Sequence, residues 1–208
     1  MFDINQMQRD ELDFFKELEN IGAGHAATAL SVLLSHPVSI RVPQAKFCEY
    51  SEICDILHGP ENVVAGLLVG ISEDIRGFIL LVLGEQDAST LSQSVVQAMV
   101  GDDLPESERE ALQVSALKEV ANMLIGSYIT AISELTGFKI DASVPELVFD
   151  MAGAVMNLVA VAYGEFSDHA LFMETAFCDH AQDLFGHFFL VPDAESYDKL
   201  IKKMVGAG

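Results

Sequence analysis

The chain has no tryptophan, three cysteines, and 11 lysines and arginines against 32 aspartates and glutamates in 208 residues. Each shortage excludes something. A formal net charge of −21 leaves no cationic footprint, so neither nucleic acid nor membrane insertion is expected, because nucleic acid and anionic lipid are both held by clustered Lys and Arg. The acidity itself fits an acidic or salt-rich cytoplasm, or a partner with a basic rim. Cys48, Cys54 and Cys178 are odd in number and lack paired spacing, as expected of reduced thiols in the cytosol. No apolar run reaches the roughly 18 residues of a membrane-spanning helix, and "GFILLVLG" (77–84) is only of strand length. The opening "MFDINQMQRDELDFF" is acidic and has neither the basic nor the apolar region of a signal peptide. A cytoplasmic protein is expected.

What is abundant is apolar residue, 50% of the chain, enough for a substantial core. Residues 11–34 carry helical periodicity, with Phe14, Leu18 and Ile21 on one face and a stop at His36-Pro37. Period-two alternation over 38–47 predicts a strand, and 62–71 and 77–84 predict a strand pair. Residues 86–101 predict a helix, with Asp87 or Ser89 as cap and Gly101 as stop. The order then recurs: a long helix over 104–137, a Pro-bearing strand over 138–147, strands over 154–166, 169–177 and 187–191, and a helix over 192–205.

Shifting the sequence by 102 residues superposes Asp13 on Ser115, Glu17 on Glu119, Asn20 on Asn122, Gly24 on Gly126 and Pro43 on Pro145. The expected fold is therefore α+β. Two pseudo-twofold-related helix–strand–strand-pair–helix repeats, 11–101 and 104–205, form one sheet-and-helix domain over 1–208. With the symmetry internal, a monomer is expected.

Positions 13, 17, 20 and 24 step by four, three and four and so share one helix face, as do 115, 119, 122 and 126. Each face reads hydrogen-bonding residue, carboxylate, carboxamide, glycine. A glycine inside a helix costs roughly 1 kcal/mol relative to alanine. On a polar face it makes sense where something approaches the backbone. Gly22 has no counterpart in the second copy and reads as local packing.

Other chemistries fit less well. Glu17 and Glu119 as a glycosidase pair lack aromatic subsites. Cys178, His180 and His187 lack the tight spacing of metal ligands, and Cys48-x5-Cys54 is equally weak. There is no nucleophile elbow and no phosphate-binding glycine loop.

Both copies fit Asp/Ser-x3-Glu-x2-Asn-x22-Pro: Asp13, Glu17, Asn20 and Pro43, then Ser115, Glu119, Asn122 and Pro145. This pattern resembles the signature of the CheC/CheX/FliY family of chemotaxis phosphatases. The stretch "NIGAGHAATALS" (20–31) also resembles the segment after the first motif in its CheC-like members. Two intact motifs and the length favour that branch over the shorter, single-motif CheX-like branch. They also favour it over the FliY-like branch, since no flagellar-switch domain comes after them here.

The resemblance implies hydrolysis of the aspartyl phosphate on the response regulator CheY. It implies that Asn20 and Asn122 orient the attacking water and that Glu17 and Glu119 engage the regulator's lysine. Asp13, Ser115, Gly24, Gly126, Pro43 and Pro145 are expected to be supporting, the prolines through strand shape. The family implies no cofactor of the chain's own, the Mg²⁺ being the regulator's. It also implies the receptor deamidase CheD as a partner, with the competing reading that the chain is mainly a CheD-sequestering adaptor.

Overall fold

A computed structural model describes residues 14, 16–101, 105–163, 169–179 and 182–205. Residues 16–18 are helical and lead through a π-helical turn, Glu19–Ala23, into α1 (Gly24–Leu34), which ends at Ser35 in left-handed conformation. There follow β1 (Ser39–Glu49), the short α2 (Ile53–Ile56), β2 (Val63–Glu73), β3 (Gly77–Gly84) and α3 (Glu85–Val100). The rest comprises α4 (Glu106–Thr136), β4 (Ile140–Ala142), β5 (Glu146–Met151), α5 (Ala152–Tyr163), β6 (His169–Asp179), β7 (Gln182–Pro192) and α6 (Ala194–Val205).

The strands form one antiparallel sheet in the order β1-β6-β7-β3-β2-β4, with β5 also pairing with β2 beyond β4. Helices lie against both sheet faces, so the fold is the mixed α+β arrangement expected. The core is accordingly in two parts. In β3, Ile79, Leu81 and Leu83 point into the larger cluster, shared with Leu18, Ala26 and Leu30 and with Val120, Leu124 and Tyr128 of α4. Phe78, Leu80 and Val82 point into the smaller one, with Ile53 of α2 and Val155 and Val159 of α5. Burial on both faces explains why β3 reads as an unbroken apolar run rather than an alternating one.

Three expectations are corrected. Residues 154–166, expected to be a strand, are largely helix: α5 buries Ala152, Val155, Met156 and Val159 at helical spacing. Its exposed Leu158 and Val161 blur that period into what reads as a short apolar strand. The single strand expected over 138–147 is two, β4 and β5, interrupted at residues 143–145. Neither Asp87 nor Ser89 caps α3, which starts after Gly84 without a side-chain cap. The Asp87 carboxylate instead accepts a hydrogen bond from the Phe185 N–H at 3.1 Å, tying α3 to β7.

Candidate active site

The second motif is built on α4. Its buried stripe runs through Ala116, Val120, Ala121, Leu124, Ile125 and Tyr128. Ser115, Glu119, Asn122 and Gly126 are left on the exposed side. A groove of about 350 Å³ gathers Ser115, Lys118, Glu119 and Asn122 from the helix, and Ala142, Ser143, Val144 and Pro145 from the break between β4 and β5. The signature positions of the second copy, from Ser115 on the helix to Pro145 in the break between the strands, thus meet in one place.

The break forms the groove's lip. Ser143 is pinned to β2 by two bonds: the Gly70 N–H donates to Ser143 Oγ at 3.0 Å, and the Ser143 N–H donates to the Gly70 carbonyl at 2.9 Å. Pro145 is buried beside it, while Val144 is 80% exposed. Proline here removes a ladder donor where the strand pauses, in keeping with a shaping role.

In the first copy, Glu17, Asn20 and Gly24 are likewise exposed, and Leu18 is fully buried beneath them. Asp13 lies outside the described residues. The helix departs from α geometry at the π turn Glu19–Ala23, which contains Asn20 and Gly22. Such single turns recur at functional sites. Gly22 is where this segment crosses α4 closely: a Cβ there would come within 2.6 Å of the Tyr128 ring. Local packing is indeed its role. Pro43 falls in β1 at the register shift between Arg41 and Gln44, on a strand at the end of the sheet order.

Gly24 and Gly126 share an environment. A Cβ on either would meet nothing within 4 Å. In each copy a threonine one turn on donates to the glycine carbonyl, Thr28 to Gly24 at 2.9 Å and Thr130 to Gly126 at 2.8 Å. Both helices therefore present bare backbone next to the carboxamide.

A second cavity, also about 350 Å³, holds none of the motif residues. His58, His187, Asp87, Glu174 and Val82 line it, on the sheet face that carries the smaller core cluster. Burial, reinforced by His58 and opposed by Asp87, holds the His187 imidazole below its usual pKa. Cys178's side chain and His180 lie outside the described residues. Among the described residues no group of three His, Cys, Asp or Glu is arranged to hold a metal ion, and no helix is long and apolar enough to cross a membrane.

Sequence reasoning missed Lys118, Ser143 and Val144. The lysine had a signal: Lys16 and Lys118 are also 102 residues apart. The lip had none, because it depends on where β4 stops.

The architecture is that of the FliY/CheC-like fold. The crystal structure of Thermotoga maritima FliY superposes with a TM-score of 0.71 over all of both chains at 18% identity. The sequence profile of the CheC-like family matches residues 112–149, which span the second motif. The chain is 31% identical over 202 residues, 95% of each protein, to the CheY-P phosphatase CheC of Bacillus subtilis (strain 168). It is 33% identical over 147 residues, 70% of this chain and 36% of the relative, to the flagellar motor switch phosphatase FliY of the same organism. The chain belongs to the CheC-like family.

Proposed function

We propose that this protein is a phosphatase that hydrolyses the aspartyl phosphate of a CheY-type response regulator in the cytoplasm. The observation that carries the reading is the groove on α4, where Ser115, Glu119, Asn122 and Pro145 converge. The near full-length similarity to a CheY-P phosphatase supports it.

The chemistry needs little from the helper. An acyl phosphate is already activated, and the partner supplies the Mg²⁺ and a lysine. What remains is to place a water in line. The Asn122 carboxamide both accepts from and donates to that water without titrating. Glu119, repulsive toward a phosphoryl group by itself, becomes a docking group when it meets the partner's lysine in a charge-assisted bond. Asn20 and Glu17 do the same at a second site, and the bare backbone at Gly24 and Gly126 admits the partner's chain.

One site per repeat accompanies the duplication of 11–101 and 104–205 within a monomer. In support, exchanging β1, β2 and β3 with β4/β5, β6 and β7 leaves the strand order unchanged.

The test is phosphate release from phosphorylated CheY. Glu17→Ala/Asn20→Ala combined with Glu119→Ala/Asn122→Ala brings release down to the regulator's own rate, and each half alone leaves part of the acceleration. An unchanged rate in the combined variant defeats the proposal. A wild type that never accelerates release but co-purifies with the deamidase CheD supports the adaptor reading instead.

A further inference from the structure

We infer that Lys118 is a positioning residue that draws the anionic face of the phosphorylated partner into the α4 groove and holds it there. The inference rests on the phosphatase reading above. Among the described residues, Lys118 is the single cation lining the groove and Glu119 the single anion, so the groove is neutral within a chain of formal charge −21. The partner's active site is anionic on balance, because its acyl phosphate and carboxylates outweigh the divalent cation and the lysine among them. That anionic face and a chain of net charge −21 repel as they approach. A cation at the point of contact lies inside the Debye length of about 8 Å at physiological salt and reverses the local sign.

Lys118 has no helix ion pair to explain it. The positions three and four residues away are Ser115, Val114, Ala121 and Asn122, none of them acidic. It is half-buried against the groove rather than fully extended into solvent. The first motif carries Lys16 immediately before Glu17, as the second carries Lys118 before Glu119. With 11 basic residues in the whole chain, a lysine in the same place of both motifs marks the position as part of the site. The neighbouring roles divide cleanly: Asn122 acts on the water, Glu119 on the partner's lysine, and Lys118 on its negative charge.

The experiment isolates the second motif by working in a Glu17→Ala/Asn20→Ala background of the full chain. Two quantities are read. One is steady-state phosphate release from phosphorylated CheY. The other is affinity for CheY loaded with Mg²⁺ and beryllofluoride, which mimics the acyl phosphate without being hydrolysed. Lys118→Glu raises both KM and Kd about tenfold and leaves kcat within about twofold, as expected for a charge that steers and docks. Lys118→Arg keeps wild-type values. The gap between wild type and Lys118→Glu closes as NaCl is raised from about 50 to 500 mM, where screening shortens the reach of the charge. Asn122→Ala shows the opposite split, a lower kcat at little-changed KM.

The inference is overturned if Lys118→Glu binds the beryllofluoride form as tightly as wild type at low salt. It is also overturned if its loss persists at high salt, or if it is shared by Lys118→Arg. A tenfold affinity gap with no phosphate release by wild type defeats the hydrolytic reading and leaves the docking role of Lys118 standing. Absence of binding by wild type defeats both.

Discussion

The glycines of the two motif helices meet two kinds of surroundings, crowded at Gly22 and open at Gly24 and Gly126, and their substitutions separate accordingly. Gly22→Ala drives a methyl group to within 2.6 Å of the buried Tyr128 ring, itself packed on Phe188 at 5.0 Å. Overpacking of this kind costs about 1–3 kcal/mol, which a lowered urea midpoint will show. Gly126→Ala meets nothing within 4 Å. It gains up to about 1 kcal/mol of helix propensity, yet it lowers phosphate release at the second site because the methyl occupies the space proposed for the partner's backbone. A stabilised variant with unimpaired release would remove that role from Gly126.

Cys48 gives a pH prediction at the same scale. It is 4% exposed. Burial first, then the nearby Glu52 carboxylate, push its thiol up to about 11, against a small opposing effect of Lys46. The folded state thus holds the proton more tightly than the unfolded chain. The stabilisation is complete below about pH 8.5, the ordinary thiol range, and is lost as the pH rises toward about 11. Denaturant titrations between pH 8 and 11 will show falling stability, with a shallower fall in Cys48→Ala.

At the scale of elements, the groove depends on the pause between β4 and β5. Ser143→Ala removes the acceptor of the Gly70 N–H. That costs about 1 kcal/mol and speeds exchange of the Gly70 amide, as hydrogen-exchange NMR will report. An unaltered Gly70 exchange rate would mean that the hydroxyl does not hold the lip. The same pause separates the two copies. Val144 is 80% exposed at the lip, whereas Val42, 102 residues earlier in the register-shifted β1, is 8% exposed.

How legible each element is in the sequence depends on where its signal resides. α4 is visible because one buried stripe persists along most of its length, and β3 because its bounds are glycines around an apolar run. The motif residues are visible because they repeat. α5 is misread because its apolar residues also cover the outer side, and only packing against the sheet tells the two sides apart. The π turn at Glu19–Ala23 cannot be read at all. Gly22 lies inside it against Tyr128, more than a hundred residues away.

At the scale of the whole molecule, whose net charge is −21, added salt acts in opposite directions on stability and on association. Among the described residues, ion pairs such as Arg41–Asp183 at 3.1 Å and Lys199–Glu195 at 3.0 Å lie on the surface with both side chains exposed. Pairs of that kind contribute little each and leave most of the repulsion uncompensated. Compacting so many like charges destabilises the folded state, and salt screens that repulsion. The melting temperature is therefore expected to rise between about 10 and 500 mM NaCl. Over the same range, affinity for the phosphorylated partner is expected to fall as the attraction at Lys118 is screened. Scanning calorimetry and binding titrations on one salt series test the pair together. A melting temperature that falls with salt would show that ion pairs, not repulsion, dominate the folded state's electrostatics. An affinity that rises with salt would show that global repulsion outweighs the local cation at the groove.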